Sequence, residues 1–375
     1  MKILLLGEYS NLHWTLAQGL RILGHEVCVV SGGDFWKNYP SDISIIRDKY
    51  NKWGGVKYAA KIMANLSRFT GYDIVQLINP CFFELKADKN RMLYKFLRKY
   101  NKKVFLGAFG NDHYWVKTCT QTNTFRYSDF FVNGKVRDTD YTRKEIKDWI
   151  NCEKEDVNRY IAEDCDGIIA CLYEYWASYA PEFPDKTTFI PLPINRELIL
   201  ERELQIPEKA NFFIGIQRER SHVKGTEIME KALDRVAARY PHQCSVRKAV
   251  SVPFAQYQRM VEESDIMLDQ IYSYTPAMNA LLGMAKGMIA VSGGEPENYE
   301  ILGETHLRPI VNVLPDEEDI YRQLEKLILQ PRLIPELQSQ SIKYIRKHHD
   351  YIKVAAQYID FWSKDSSRTT GDKKI

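Results

Sequence analysis

The opening stretch MKILLLGEYSNLHWTLAQGLRILGHEVCVVSGG constrains the fold more than any other part of this chain. Residues 3–6 are a continuous apolar run, the mark of a strand covered on both faces of a parallel sheet. Leu12, Leu16, Leu20 and Leu23 then recur at helical spacing, and Gly24 suits a helix end. Residues 27–30 are the next apolar run, so the segment spells one βαβ unit with a right-handed crossover. The first turn of such a unit commonly faces a ligand, and a dinucleotide site there carries the glycines of G-x-G-x-x-G. Here Gly7 is followed by Glu8, Tyr9 and Ser10, which disfavours a wrapped dinucleotide and with it a dehydrogenase.

The alternation continues. Strands are expected at 72–80, 103–112, 167–170 and 187–195, with helices at 89–101 and on either side of 167–170. Residues 116–145 read as a long, irregular, aromatic and polar insertion. IPLPIN (190–195) reads as a Pro-punctuated hinge, after which strands recur at 211–217, 244–250, 266–270 and 288–294. Helices are expected at 225–241 and 276–287, and a last one at 351–363 carries Val354, Tyr358, Phe361 and Trp362. One core seldom grows past roughly 250–300 residues. The 375-residue chain is therefore read as α/β, with two Rossmann-like domains built on doubly wound parallel sheets. Their bounds are 1–192 and 193–350, with 364–375 expected to be a disordered tail.

A net charge of +3 gives no argument for a nucleic-acid partner. The seven cysteines are scattered without metal-type spacing, which fits reduced thiols in a cytoplasmic protein and no metal site. No signal peptide is expected, and no apolar run approaches the roughly 20 residues that span a bilayer. Helix 89–101 is strongly basic and is a candidate for peripheral membrane contact, with a plain solvated face as the competing reading.

In open α/β sheets, ligands lie beyond the carboxyl ends of the strands. The loop GIQRERSHVKGTE (215–227) brings Arg218, Arg220, His222 and Lys224 to a helix start at Gly225 and Thr226. Cations at a helix N-terminus make an anion site, and arginine can grip phosphate with two hydrogen bonds. A solvated charged loop is the alternative. In GAFGNDHYW (107–115), Asp112 and His113 are candidates for proton transfer or sugar positioning, with a helix cap as the competing role for Asp112. The D-x-D in RDTDY (137–141) lies in the insertion rather than after a core strand, which argues against a metal site there.

Taken in order, these segments resemble the GT-B glycosyltransferases, most of all the retaining family 4. The resemblance rests on the opening unit, IPLPIN, the Arg/Lys loop, and SDIMLDQ…ALLGMAKGMIAVSGG…E (264–300). It implies two domains facing a central cleft, an acceptor side first and a donor side second, with helix 351–363 returning to the first domain. It implies a hexosyltransferase moving a sugar from a nucleotide diphosphate sugar to a saccharide or lipid-linked acceptor, without metal or other cofactor. The implied setting is bacterial surface-polysaccharide synthesis in the cytoplasm or at the inner face of the membrane. Arg218, Arg220 and Lys224 would hold the donor diphosphate, with Arg218 and Lys224 also counted as catalytic beside Asp112 and His113. Gly7, Glu8, Tyr274, Thr275, Pro276, Asn279 and Glu297 would complete the donor site, and Tyr9, Ser10 and His13 would line the acceptor side. Phe109 stands where relatives often carry a histidine facing the cleft. The family's paired glutamates are absent, with Thr275 and Gly283 read at their positions. A nucleotide-sugar epimerase and a non-catalytic sugar-nucleotide binder of the same fold are the alternatives.

Overall fold

Strands that are apolar on both faces can be buried only between layers of helices, and the chain builds two such sheets. The computed structural model describes residues 1–34, 37–200, 204–250, 252 and 254–364. The expected tail therefore lies, beyond Lys364, outside the described residues.

The first half contributes β1 (Lys2–Leu6), β2 (Glu26–Ser31), β3 (Ile43–Ser44), β4 (Ile74–Leu77) and β5 (Lys103–Ala108). A small hairpin, β6 (Phe131–Val132) and β7 (Lys135–Val136), follows, then β8 (Gly167–Ala170) and β9 (Thr187–Phe189). The second half contributes β10 (Ala210–Ile216), β11 (Cys244–Val250), β12 (Ile266–Leu268), β13 (Ile289–Ser292) and β14 (Val311–Asn312). The first sheet runs β3-β2-β1-β4-β5-β8-β9 and the second β11-β10-β12-β13-β14, every pairing parallel. Strand order reverses between β1 and β4 in one sheet and between β10 and β12 in the other. A crevice opens beyond the carboxyl ends at each such switch point. The loops there begin at Gly7 and Ile78 in the first half, and at Gln217 and Asp269 in the second.

The insertion is not irregular. It holds the helices His113–Gln121 and Asp140–Trp149 and the β6–β7 hairpin. Trp115, Val116, Cys119, Phe125, Tyr127, Phe130 and Trp149 bury against one another as a separate aromatic core that also takes in Tyr274 of the second half. The Thr, Asn and Gln between these residues hide the helical spacing in the sequence.

The chain crosses between the sheets twice, side by side. Ile194 N–H donates to the His349 carbonyl at 2.7 Å, and Tyr351 N–H donates to the Ile194 carbonyl at 3.1 Å. The last helix, Tyr351–Ser363, then packs on the first sheet, where Trp362 Nε1 donates to Oε1 of the buried Gln76 at 3.3 Å. Its contact with the helix Leu12–Ile22 is close because Gly19 has no side chain. A Cβ there would lie 2.4 Å from the Tyr351 carbonyl oxygen and 3.0 Å from Ala355 Cβ. No described helix is long and apolar enough to cross a membrane.

Gly19→Ala is therefore expected to push the returning helix off its seat, at a cost of about 1–3 kcal/mol, the usual range for overpacking. Thermal unfolding and limited proteolysis near residues 351–363 measure it; an unchanged melting temperature with a protected C-terminal helix would contradict the packing.

Candidate active site at the cleft

In the first half, the Gly7 turn is shaped by packing. Gly7 has φ +89°, and a Cβ would fall 2.1 Å from Ile78 Cγ2, so only glycine lets β1 end beside the β4 loop. Glu8 turns inward to the start of the helix Leu12–Ile22, accepting from the backbone N–H of Trp14 at 2.9 Å and of His13 at 3.3 Å. Burial pushes its carboxyl up to about 8, against those two hydrogen bonds. Ser10 N–H donates to Asp34 at 2.9 Å, and the Tyr9 ring lies against Gly110. His13 is fully buried, and its Nδ1 donates to the Gly7 carbonyl at 2.8 Å. Burial lowers its pKa to about 4, so the ring is neutral and Nε2 carries a lone pair with no partner among the described residues. The Phe109 ring meets it edge-on at 6.2 Å.

Asp112 and His113 are buried at the turn after β5. Asp112 is fully buried as the N-cap of its helix. Oδ1 accepts from Trp115 N–H at 2.9 Å and Oδ2 from Tyr179 Oη at 2.6 Å. His113 is 3% exposed, with Nδ1 on the Trp149 carbonyl at 3.1 Å and its backbone N–H on Asn158 Oδ1 at 2.9 Å. Both residues organise the turn after β5; the cap takes one Asp112 oxygen and the Tyr179 hydroxyl the other.

In the second half, Arg218 and Arg220 are exposed and make no ion pair among the described residues. Lys224 ends the short helix Ser221–Lys224, and its Nζ donates to Asp269 Oδ1 at 2.7 Å. Asp269 follows β12, is 2% exposed, and also accepts from Asn279 Nδ2 at 3.0 Å, while Tyr257 Oη donates to Asn279 at 2.9 Å. Its Oδ2 is buried with no partner among the described residues. Gly225, at φ +73°, serves close packing, since a Cβ would fall 2.3 Å from Ile271 Cγ1. The sequence reading missed Asp269, although a carboxylate at the carboxyl end of a strand was the signal. Asp138 and Asp140 of the D-x-D both pair with Arg143.

The two halves meet through residues that the sequence reading also passed over. Glu174, in the first turn of the helix Tyr173–Tyr179 after β8, is 4% exposed. It accepts from Tyr274 N–H at 2.6 Å, Thr275 N–H at 3.0 Å and Thr275 Oγ1 at 2.5 Å. Burial pushes its carboxyl up, and the three donors oppose that shift. From the insertion, Arg126 donates to Glu297 at 2.5 Å and to Glu295 at 2.8 Å, and Tyr127 Oη to Glu295 at 2.5 Å. The hydrogen bonds from Arg126 hold Glu297 below the usual carboxylate range. Tyr274 Oη accepts from Arg126 N–H at 2.6 Å, and the Tyr141 ring meets His222 at 5.6 Å. Pro276 is buried beside them. Matched letter by letter, LLGMAKG against the family's L-E-A-M-A-x-G places Leu282 at the second glutamate and Tyr274 eight residues earlier. This corrects the assignment of Gly283 and Thr275, and neither position is a carboxylate.

Two expected outcomes test this geometry. Asp112→Asn keeps the acceptor for Trp115 but removes the one for Tyr179, and should lower stability by about 1–3 kcal/mol. Asp112 stands raised by burial from 3.8 to about 6, so its contribution to stability falls as pH rises between those values. The Asn variant should lose that slope in denaturant unfolding at stepped pH, with no loss in turnover per folded molecule; a large turnover loss in an intact fold would return Asp112 to the reaction. Glu174→Ala should loosen the two halves because it leaves buried N–H groups without partners. An increased radius of gyration in solution scattering checks this, with Glu174→Gln intermediate; an unchanged radius would refute the clamp.

No family model matches the chain, and no curated protein matches it in sequence. Solved structures do match. The Anabaena protein HepE, solved in complex with UDP and glucose, is 11% identical and aligns over 97% of this chain and 100% of its own at a TM-score of 0.62. WaaG, a glycosyltransferase involved in lipopolysaccharide biosynthesis, is 13% identical over 97% and 100%, at 0.60. A putative UDP-N-acetylglucosamine 2-epimerase from Listeria monocytogenes is 9% identical over 98% of each chain, at 0.53. At such identities the likeness establishes the fold, the GT-B arrangement of two Rossmann-like domains about a cleft.

Proposed function

We propose that the chain is a hexosyltransferase of the retaining, family 4 kind, moving a sugar from a nucleotide diphosphate donor to a saccharide or lipid-linked acceptor. The setting we assign is bacterial surface-polysaccharide synthesis in the cytoplasm or at the inner face of the membrane. The observation that carries the reading is the cation loop after β10, at the β10–β12 switch point of the second sheet. There Arg218 and Arg220 stand exposed and without carboxylate partners among the described residues, beside Lys224 held by Asp269. The full-length fold likeness to a protein solved with UDP and glucose supports the donor class.

In this reading the arginines grip the diphosphate and Lys224 is oriented by Asp269 toward the bridging oxygen of the breaking bond. Charge on the leaving diphosphate rises as that bond breaks, so fixed cations stabilise the transition state more than the ground state. They do this without a metal. Asn279 and the backbone at Pro276 are left for the ribose and sugar. Tyr274 and Thr275 would join them only where the Glu174 clamp yields. On the acceptor side, the part-exposed Tyr9 and Ser10 would meet the sugar, and the neutral, buried His13 would hold the turn behind them through its bond to the Gly7 carbonyl.

An epimerase is the second reading, favoured by the likeness to the Listeria protein. Product analysis without acceptor separates the two: transfer requires an acceptor, and epimerisation does not.

Lys224→Ala should lower the maximal rate at saturating donor by roughly 10²–10³-fold, the usual effect of removing one such contact. Arg218→Lys and Arg220→Lys should restore little if the grip is bidentate. Transfer kinetics together with UDP affinity measure this. If all three variants keep the parent rate and affinity, the loop is solvated surface and the donor binds elsewhere.

A further inference from the structure

Four of the five most exposed large apolar side chains among the described residues lie on or just before one helix of the first domain. Tyr50, Trp53, Val56 and Met63 are 68%, 77%, 61% and 63% exposed, and three of them lie on the helix Lys52–Asn65. This helix connects β3 to β4 and buries only Gly54, Tyr58 and Ile62. Trp53, Val56, Ala60 and Met63 follow at i, i+3, i+7 and i+10, so they share one stripe on the opposite side. A helix covering a sheet normally has charged residues there, and a stripe led by an exposed tryptophan marks an interaction surface.

The charges around the stripe identify its partner. Residues 47–68 contain six basic side chains, Arg47, Lys49, Lys52, Lys57, Lys61 and Arg68, against the single acid Asp48. Only Lys61 pairs with that acid, and Lys49, Lys52 and Lys57 have no carboxylate partner among the described residues. Apolar side chains flanked by unpaired cations complement an anionic lipid surface: the stripe enters the boundary of the acyl chains and the lysines meet phosphates. The basic helix Ala87–Tyr100 is less suited. Arg91 and Lys95 lie over Tyr160 at 4.4 and 5.5 Å, and Arg98 pairs with Asp164 and Asp166.

The position is consistent with use. A crossover helix in a parallel sheet starts at the carboxyl edge of the strands, which is the cleft side. Tyr58 Oη and Arg47 both contact the backbone of Glu84 in the loop after β4, at 3.3 and 3.0 Å, which ties this segment to the rim of the cleft. We infer that the outer face of the helix Lys52–Asn65 docks the protein on an anionic bilayer, with Trp53, Val56 and Met63 inserted and Lys52 and Lys57 on the headgroups. The docking does not depend on the transfer reading, and it is measured without activity.

The test is flotation of the full chain with vesicles of phosphatidylcholine alone or with about 30% phosphatidylglycerol. Binding is expected to the anionic vesicles, to be weak on neutral ones, and to drop in roughly 0.5 M salt, where screening lengths fall to a few ångströms. Trp53→Ser with Met63→Ser should lower the bound fraction at least about fivefold, and Lys52→Gln with Lys57→Gln should remove most of the salt dependence. All four side chains are exposed, so unchanged melting temperatures are expected as the control. Absence of parent binding overturns the inference, as does equal binding by the Trp53/Met63 variant. A parent that self-associates without binding vesicles, and becomes monomeric on Trp53→Ser, also overturns it and assigns the stripe to a second copy of the chain.

Discussion

One buried carboxylate holds the two halves in register. Glu174 comes from the first domain, yet its hydrogen bonds from Tyr274 and Thr275 belong to the loop after β12 in the second. Burying a carboxylate is costly unless its oxygens are satisfied, and three donors within 3.0 Å satisfy these. Two of these donors are backbone N–H groups just ahead of the helix Met278–Ala285, the sort of place where an anionic ligand would bind. The clamp therefore takes up, from within the chain, the donors that such a ligand would use.

Around this contact the interface is built from aromatic rings and a second set of charges. Tyr274 lies among Phe125, Tyr127 and Tyr173 at ring distances of 5.5, 5.2 and 5.9 Å, with the Arg126 guanidinium 4.7 Å from its centre. Arg126 is about half exposed, so its pairs with Glu295 and Glu297 are screened by solvent and contribute less than their distances suggest. Phe125, Tyr127, Tyr274 and Glu174 are buried, so their contacts are not weakened in that way. Glycines set how closely the loops approach: a Cβ on Gly293 would lie 1.9 Å from the Ser273 carbonyl oxygen.

The legible part of the molecule was the part governed by short-range periodicity. β1, the Leu12–Ile22 helix and β2 could be read because each apolar residue's partners lie within one βαβ unit, and the cation loop because it follows a plain strand. Two kinds of feature were not legible. The His113–Gln121 and Asp140–Trp149 helices are held by rings that come together from separate parts of the insertion and from the helix Tyr173–Tyr179, joined by Tyr274 of the second half, so their local pattern is diluted with polar residues. The pairs Lys224–Asp269 and Glu174–Thr275 are 45 and 101 residues apart and leave no spacing signal. Asp112 failed in the opposite sense. Its place after a strand suggested chemistry, but an aspartate one residue before a helix also satisfies the free N–H groups of the first turn, and that local need won.

The Lys224–Asp269 pair also decides how charge is shared in the cation loop. An ammonium bound at 2.7 Å to a 1%-exposed carboxylate is held in one orientation, but seen from a distance much of its charge is offset. Net positive potential in the loop therefore comes mainly from Arg218 and Arg220, which are exposed and carry no ion pair among the described residues. The lysine supplies direction at short range, where its own charge still exceeds that of the more distant Asp269. Removing the lysine does more than delete a cation. It leaves a buried carboxylate, already short of a partner at Oδ2, facing the position assigned to the diphosphate. Removing an arginine leaves no such charge behind. The lysine is on this account the more consequential side chain, even though the arginines carry most of the field that attracts the ligand.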